Sequence, residues 1–407
     1  MASPSSGPVA ARLAVVSMLL LASSLVAVTR LRDRKRRATK ESYGSGGFVM
    51  RCGTRKSALA MVQTRWVSST LARLDPKLHI VILDGVDTMA DKTLNVSLKE
   101  LVQKENKKDL TKPSPGLFTK ELEDGLSGNR YDFVVHSLKD VPTTLPEGLV
   151  IAAICEREDP RDCVVFRDTS VKSLANLPAG SIVGTSSVRR EALLRRDYPH
   201  LKIKLIRGNV NTRLAKLEAG EFDAILLALA GMRRLGFEAR IGQVMNPDYF
   251  PYGVGQGSLG IQCREKDAEY RKILKTIAHE DSAYRCMCER ALLRELEGGC
   301  QVPLGVKTRV YFSALKQQKW IEIHCQILTL DGRCTVSGTL DGPAEACESI
   351  GVKLAEMLRE QGGGKHLIRA DDAWSAEQQR NISKPTNTKR PITYGNAEEP
   401  HRPELQQ

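Results

Sequence analysis

Aromatic side chains are scarce in this chain: 9 Tyr, 8 Phe and 3 Trp make up 5% of 407 residues. A surface that binds unpaired nucleic acid by stacking bases needs more of them, so that class is disfavoured despite a net charge of +13. No two of the ten cysteines stand in a C-x-x-C pair, and Cys286-Met287-Cys288 is too tight for the usual zinc spacing. The expectation is a reduced interior with no disulfide framework and no metal centre. No internal repeat of solenoid length is present. The apolar run Leu13 to Val28, 16 residues, is slightly short for a membrane span and close to a signal h-region.

What remains is ordinary for a large globular protein. Hydrophobic residues make up 41% of the chain, and its length suits two or three domains. The charge is uneven. Arg30, Arg32, Arg34, Lys35, Arg36, Arg37 and Lys40 against Asp33 give +6 in one short run, leaving about +7 for the body. That moderate excess suits a small polyanion as well as a nucleic acid. Residues 1–48 read as an N-terminal extension. Positive charge after its apolar segment keeps the body cytoplasmic if the segment anchors, and a cleaved leader is a second reading.

From Phe48 the pattern is α/β. Phe48–Cys52 reads as a strand, Gly53–Ser57 as a turn, Ala58–Leu74 as a helix with Leu59, Val62, Trp66 and Leu71 on one stripe, and Leu78–Leu83 as a second strand. Lys104 to Pro115 is polar and reads as a surface loop. A helix is expected over Phe118–Leu126, then strands over Tyr131–His136 and Leu149–Cys155. Arg157 to Asp162 reads as a crossover into a second α/β unit that begins at Cys163. That unit includes the strands Ser181–Val183, Lys202–Ile206 and Ala224–Leu229, and a helix from Val188. A helix from about Ser282 stops at Gly298-Gly299, because glycine accepts the left-handed backbone of a helix C-cap. Beyond it, Val310–Leu315, Lys319–Leu328 and Arg333–Leu340 suggest a three-stranded antiparallel sheet, with a helix over Glu345–Gln361. The expected fold class is α/β: two lobes, 49–157 with 255–278 and 158–254, then a smaller α+β domain over 279–370. Residues 371–407 read as a disordered tail.

Three junctions after strands carry polar side chains and free N–H groups: Gly53 to Ser57, Ser137 to Asp140, and Gly184 to Ser187. Ligands of open α/β sheets bind at that edge, and helix N-termini favour anions. Each junction brings cations, Arg55, Lys139, Arg189 and Arg190, and Arg207, Arg213 and Arg234 follow. Guanidinium forks match carboxylates at two points, so the cleft points to a ligand with several carboxylates. Asp140 is an acid among these cations, suited to stabilising a developing positive charge or passing a proton. Cys300 follows Gly299 on a loop that a ligand can reach, with Pro303 blocking a new helix turn. The end of a helix does nothing to lower a thiol pKa.

Seven ordered motifs carry a resemblance: Gly53-Thr54-Arg55-Lys56-Ser57, Leu117 to Leu122, His136-Ser137-Leu138-Lys139-Asp140, Gly184 to Arg190, Arg207 to Arg213, Val254-Gly255-Gln256-Gly257 and Glu297-Gly298-Gly299-Cys300. From about Phe48 to Gly363 the chain resembles the hydroxymethylbilane synthase (porphobilinogen deaminase) family. The resemblance implies three domains, the first two like periplasmic solute-binding proteins. It implies stepwise condensation of four porphobilinogen molecules with loss of ammonia, onto a dipyrromethane primer held by Cys300 through a thioether. Asp140 would be the catalytic acid, meeting pyrrole N–H groups and stabilising the azafulvenium cation. Arg55, Ser57, Lys139, Ser187, Arg189, Arg190, Arg207, Gly208 and Arg213 would hold the cofactor and growing chain. Gln63, Lys120, Ser137, Thr185, Ser186, Arg234 and Gln256 would contact substrate. No metal, no nucleic acid and a monomer are expected, with membrane contact confined to residues 13–28.

There are departures. Asp87 to Lys92 replaces a more usual Thr-x-Gly-Asp-Lys run, the following loop is longer, and Gln262 stands where an acid is common. The rival reading is a solute-binding module that holds an anion and does no chemistry. The pair Asp140 and Cys300 argues against it, since a binder needs neither.

Overall fold

The computed structural model describes residues 47–83, 85–88, 116, 118–296 and 303–362. The N-terminal extension, most of the loop after Asp87, Cys300 with its flanking glycines, and the C-terminal tail lie outside the described residues.

Three sheets organise the rest. The first contains β1 (Phe48–Gly53), β2 (Leu78–Ile82), β3 (Phe133–Ser137), β4 (Leu149–Ile154) and β10 (Leu259–Arg264) in the order β2-β1-β3-β10-β4. Helix α1 (Ala58–Leu74) follows β1, and α2 (Lys120–Ser127) precedes β3. The second contains β5 (Asp162–Phe166), β6 (Ile182–Gly184), β7 (Lys202–Lys204), β8 (Ala224–Ala228) and β9 (Gln243–Val244) in the order β7-β6-β8-β5-β9, with α3 (Val188–Asp197), α4 (Val210–Glu218) and α5 (Leu229–Arg234). The two orders repeat one plan. Three strands run parallel, and the fourth is antiparallel to both of its neighbours. In each lobe that antiparallel strand is the one arriving from the other lobe. The chain therefore crosses twice, over residues 155–161 and 245–258.

Both faces of the second sheet are covered, so β8 and, after Asp162, β5 are apolar throughout. Val164, Phe166, Ala224 and Leu226 join one cluster, and Cys163, Val165, Ile225 and Leu227 the other. The same alternation places Met50, Cys52, Phe133, Val135, Leu259 and Ile261 in one core of the first lobe. Strand β10 has the strand alternation, Leu259, Ile261 and Cys263 against Gly260, Gln262 and Arg264, but the glycine-rich stretch Val254 to Gly260 hides its start in the sequence.

The third sheet is antiparallel, β11 (Leu304–Ser313), β12 (Gln318–Leu328) and β13 (Thr335–Pro343), with α7 (Glu280–Glu295) and α8 (Cys347–Glu360) packed on it. β11 starts six residues earlier than its sequence suggested, because Thr308 occupies an inward position between Val306 and Val310 and hides the alternation. After β3 no α-helix forms. Leu138–Asp140 is one 3-10 turn, which ends at Val141 ahead of Pro142. Helix α6 (Ala268–Lys275) completes the first lobe. Nine cysteines are described, all free, and eight of them are buried. Burial pushes Cys155 and Cys163 up to about 12, which leaves them inert thiols.

Candidate active site

A cavity of about 440 Å³ opens between the two lobes at the ends of β1, β3 and β8. Three helices point their N-termini at it. Ser57 caps α1 by accepting from Ala60 N at 3.4 Å, Ser187 caps α3 by accepting from Arg190 N at 3.4 Å, and Asn209 Oδ1 caps α4 by accepting from Thr212 N at 2.9 Å. Their combined field favours anions. Gly208 precedes the last cap with φ +116°, and a Cβ there would meet the Thr212 side chain at 2.7 Å, so only glycine fits.

The cavity is lined by seven cationic side chains, Arg55, Lys56, Lys139, Arg190, Arg207, Arg213 and Arg234, against two carboxylates, Asp87 and Asp140. Lys56 and Asp87 pair with each other at the rim at 2.7 Å. Arg55 lies 3.9 Å from Asp140, and its guanidinium sits 5.0 Å from the centre of the Phe118 ring. Arg213 Nε donates to Gly208 O at 2.8 Å and Arg234 Nη2 to Gly257 O at 2.6 Å. Among the described residues neither has a carboxylate within salt-bridge distance. Burial, with Arg190 and Arg207 beside it, pushes Arg213 down to about 10, and burial also lowers Arg234. Lys139 keeps solvent contact, yet the crowding of protein around it lowers its pKa; Arg190 and Arg213 add to this, and Asp140 opposes it. These uncompensated cations are costly unless an anion joins them.

Twelve of the residues singled out in the sequence meet in this cavity: Arg55, Ser57, Gln63, Ser137, Lys139, Asp140, Ser186, Arg190, Arg207, Gly208, Arg213 and Arg234. Gln63 and Ser137 are hydrogen-bonded to each other at 3.0 Å. Thr185, Ser187, Arg189, Gln256 and Lys120 are not among the lining residues. Thr185 Oγ1 accepts from Ser187 N at 3.1 Å and is buried. Lys120 is exposed on the first turn of α2. Arg189 is 5% exposed and turns away, donating from Nη1 to Asp162 Oδ2 at 2.7 Å and to Pro251 O at 2.7 Å.

Asp162 was legible only as part of the crossover, and it proves to be the anchor behind the site. Arg189, Arg190 and Gln256 all donate to its carboxylate, the last from Nε2 at 2.8 Å. Burial raises its pKa, but Arg189 and Arg190 outweigh that and hold it well below the usual carboxylate range. Its signal in the sequence was an acid opening a fully apolar strand. A second buried centre joins the crossings to the third sheet. Arg157 donates to both oxygens of Glu289, at 2.6 and 3.0 Å, while Thr308 Oγ1 and Gly255 N also donate to that carboxylate. Burial raises Glu289, and Arg157 more than offsets it.

The fold and the site define a two-lobed α/β protein with a cavity between its lobes whose lining carries an excess of positive charge. Comparison with known proteins agrees. The family model for porphobilinogen deaminase, dipyromethane cofactor binding domain, matches residues 50–272, and that for the porphobilinogen deaminase C-terminal domain matches 283–360. The chain is 46% identical over 320 residues to the porphobilinogen deaminase of Nostoc sp., covering 78% of this chain and 94% of the relative. It is 45% identical over 319 residues to that of Synechococcus elongatus, covering 78% and 94%. Among solved structures it is similar to the methionine-binding protein MetQ, with 13% identity and a TM-score of 0.34 over 60% of this chain and 94% of that one. The chain belongs to the porphobilinogen deaminase family. It is a transferase that polymerises porphobilinogen to hydroxymethylbilane in tetrapyrrole biosynthesis, and its cofactor is dipyrromethane. The lining fits that group: Lys139, Arg213 and Arg234 lack carboxylate partners among the described residues, and the cofactor's acetate and propionate groups supply carboxylates.

Proposed function

We propose that Asp140 is the catalytic acid, that Cys300 carries the cofactor, and that the cationic lining holds the carboxylates of cofactor and growing chain. The observation that carries this reading is the imbalance of seven cations against two carboxylates around one cavity. When bound, the dipyrromethane would supply the free pyrrole carbon to which the first unit is joined, each later unit joining the end of the chain so extended. Asp140 lines the cavity 3.9 Å from Arg55, where its carboxylate can accept from pyrrole N–H groups and stabilise positive charge as ammonia leaves. Lys139, Arg190, Arg207, Arg213 and Arg234 each offer a charge-assisted hydrogen bond to a carboxylate. Ser57, Ser186 and Gly208 add their positions at helix N-termini, and Gln63 with Ser137 fixes the wall beside Asp140. Arg189, Ser187, Thr185 and Gln256 act from behind, through Asp162 and the cap of α3; Lys120 would meet substrate at the cavity's outer edge.

Helix α7 ends at Glu295, and four residues of sequence then lead to Cys300. The division into lobes 49–157 with 255–278 and 158–254, followed by 279–370, is our reading of where each sheet closes. A cytoplasmic monomer completes the reading; no described helix is long and apolar enough to cross a membrane. The test is Arg213→Met with Arg234→Met. Each removes a carboxylate contact worth about 1.5–3 kcal/mol, so chain growth should stall with partly elongated enzyme visible by mass. Unchanged turnover in both variants would contradict the assignment.

A further inference from the structure

Behind the cavity floor three polar side chains are strung together. His136, at the end of β3, is 4% exposed and lines the cavity. Its Nε2 lies 2.9 Å from Oε1 of Gln262 on β10, and Gln262 Nε2 donates to Oε1 of Glu123 on α2 at 3.2 Å. Gln262 and Glu123 are both buried. The register explains why they meet. Gln262 pairs with Val134 and Gly260 with His136, so the two side chains are diagonal neighbours on the face that Leu122 and Leu126 of α2 cover. The amide's two ends are then assigned by their partners. Its N–H goes to Glu123, its carbonyl faces the imidazole, and the imidazole must hold its proton on Nε2.

The charges around His136 do not favour an imidazolium. Arg55 faces it from the turn after β1, and Lys139 and Asp140 follow on its own strand's turn. Glu123 reaches it only through the neutral amide. Arg264, further along β10, is held by Asp132 and Asp267. Burial pushes His136 down to about 4; the Gln262 hydrogen bond opposes this and Arg55 adds to it.

We infer that Gln262 and Glu123 are positioning residues that hold the His136 proton on Nε2, and that burial of the ring beside Arg55 keeps that imidazole neutral. The number of positive charges around the growing chain then stays constant as pH falls through the ordinary histidine range. This rests on the proposal that the cavity binds carboxylates. An imidazolium there would be an extra cation beside Arg55, tightening the grip on an elongated polycarboxylate and slowing its release.

The direct test is imidazole nitrogen NMR of the full chain, with His136 assigned by its absence from H136Q. The expected result is a neutral, Nε2-protonated signal that does not move between about pH 5 and 8. A titration within that window overturns the inference. This readout uses no turnover, so it can fail while the carboxylate reading stands. The second test is kcat/KM against pH for Q262E. A carboxylate beside the ring raises its pKa, so an added ionisation between about pH 6 and 8 is expected, absent from the Q262E/H136Q double variant. A merely structural role for Gln262 would lower stability and add no ionisation. A Q262E profile that overlays the unmodified protein's overturns the inference, and if Q262E does not fold the NMR titration decides.

Discussion

Asp140 and Asp162 are both aspartates beside arginines, and their surroundings give them opposite work. Asp140 is open to the cavity with one arginine at 3.9 Å, so its oxygens remain available. Asp162 is fully buried and saturated by Arg189, Arg190 and Gln256. Asp140→Asn is therefore expected to lose nearly all turnover while denaturant unfolding is unchanged; loss of stability instead would move Asp140 into a structural role. Asp162→Asn should do the reverse first. Removing one partner of a buried ion pair costs about 3–5 kcal/mol, read as a lower midpoint in urea unfolding. His136 adds a pH term. Its folded pKa of about 4 lies below the unfolded value of 6.5, so the unfolded chain binds the extra proton first and stability falls as pH drops between those values. Urea unfolding at pH 7 and pH 5 should show a loss of about 2 kcal/mol that H136Q lacks.

At the scale of elements, α7 ties the parts together. Its Glu289 accepts from Arg157 and Gly255, one on each crossing between the lobes, and from Thr308 on β11. Its Arg290 donates to Val141 O and Pro142 O at 2.9 and 2.7 Å, directly after the turn that bears Asp140. Glu289→Gln leaves Arg157 buried without a counter-charge and should cost about 3 kcal/mol or more in unfolding experiments. These links explain how far the sequence could be read. The bounds of helix α1 were legible to the residue, with Ser57 as its cap, but its buried face runs through Ala60, Gln63, Thr64, Val67 and Leu71 and leaves Trp66 of the expected stripe exposed. Arg55, Lys139 and Arg190 were legible because they stand at junctions after strands, whereas Arg213 lies within α4 and Arg234 ends α5. Hidden were the residues whose partners lie far along the chain: Glu289 sits 132 residues from Arg157, and Gln262 sits 126 from His136. Local pattern carries no trace of such pairs. It also misplaced Arg189, since the same motif puts Arg190 at the cavity and its neighbour behind the wall.

For the whole molecule, two lobes built to one strand order are joined by two crossings and meet around a cavity dominated by positive charge. Gly257 lies on the second crossing with φ +92°, and a Cβ there would meet Glu158 O, on the first crossing, at 2.3 Å. The crossings are thus packed against each other at their backbones, and Gly257→Ala should impair both folding yield and turnover. On the function proposed, this cavity holds a polycarboxylate primer fixed to Cys300. Intact mass of the purified protein, with Cys300→Ser measured beside it, tests this most directly. A mass excess of two linked pyrrole units is expected in the unmodified protein and none in the variant, with the variant still folded. The same excess in both proteins, or in neither, would contradict it.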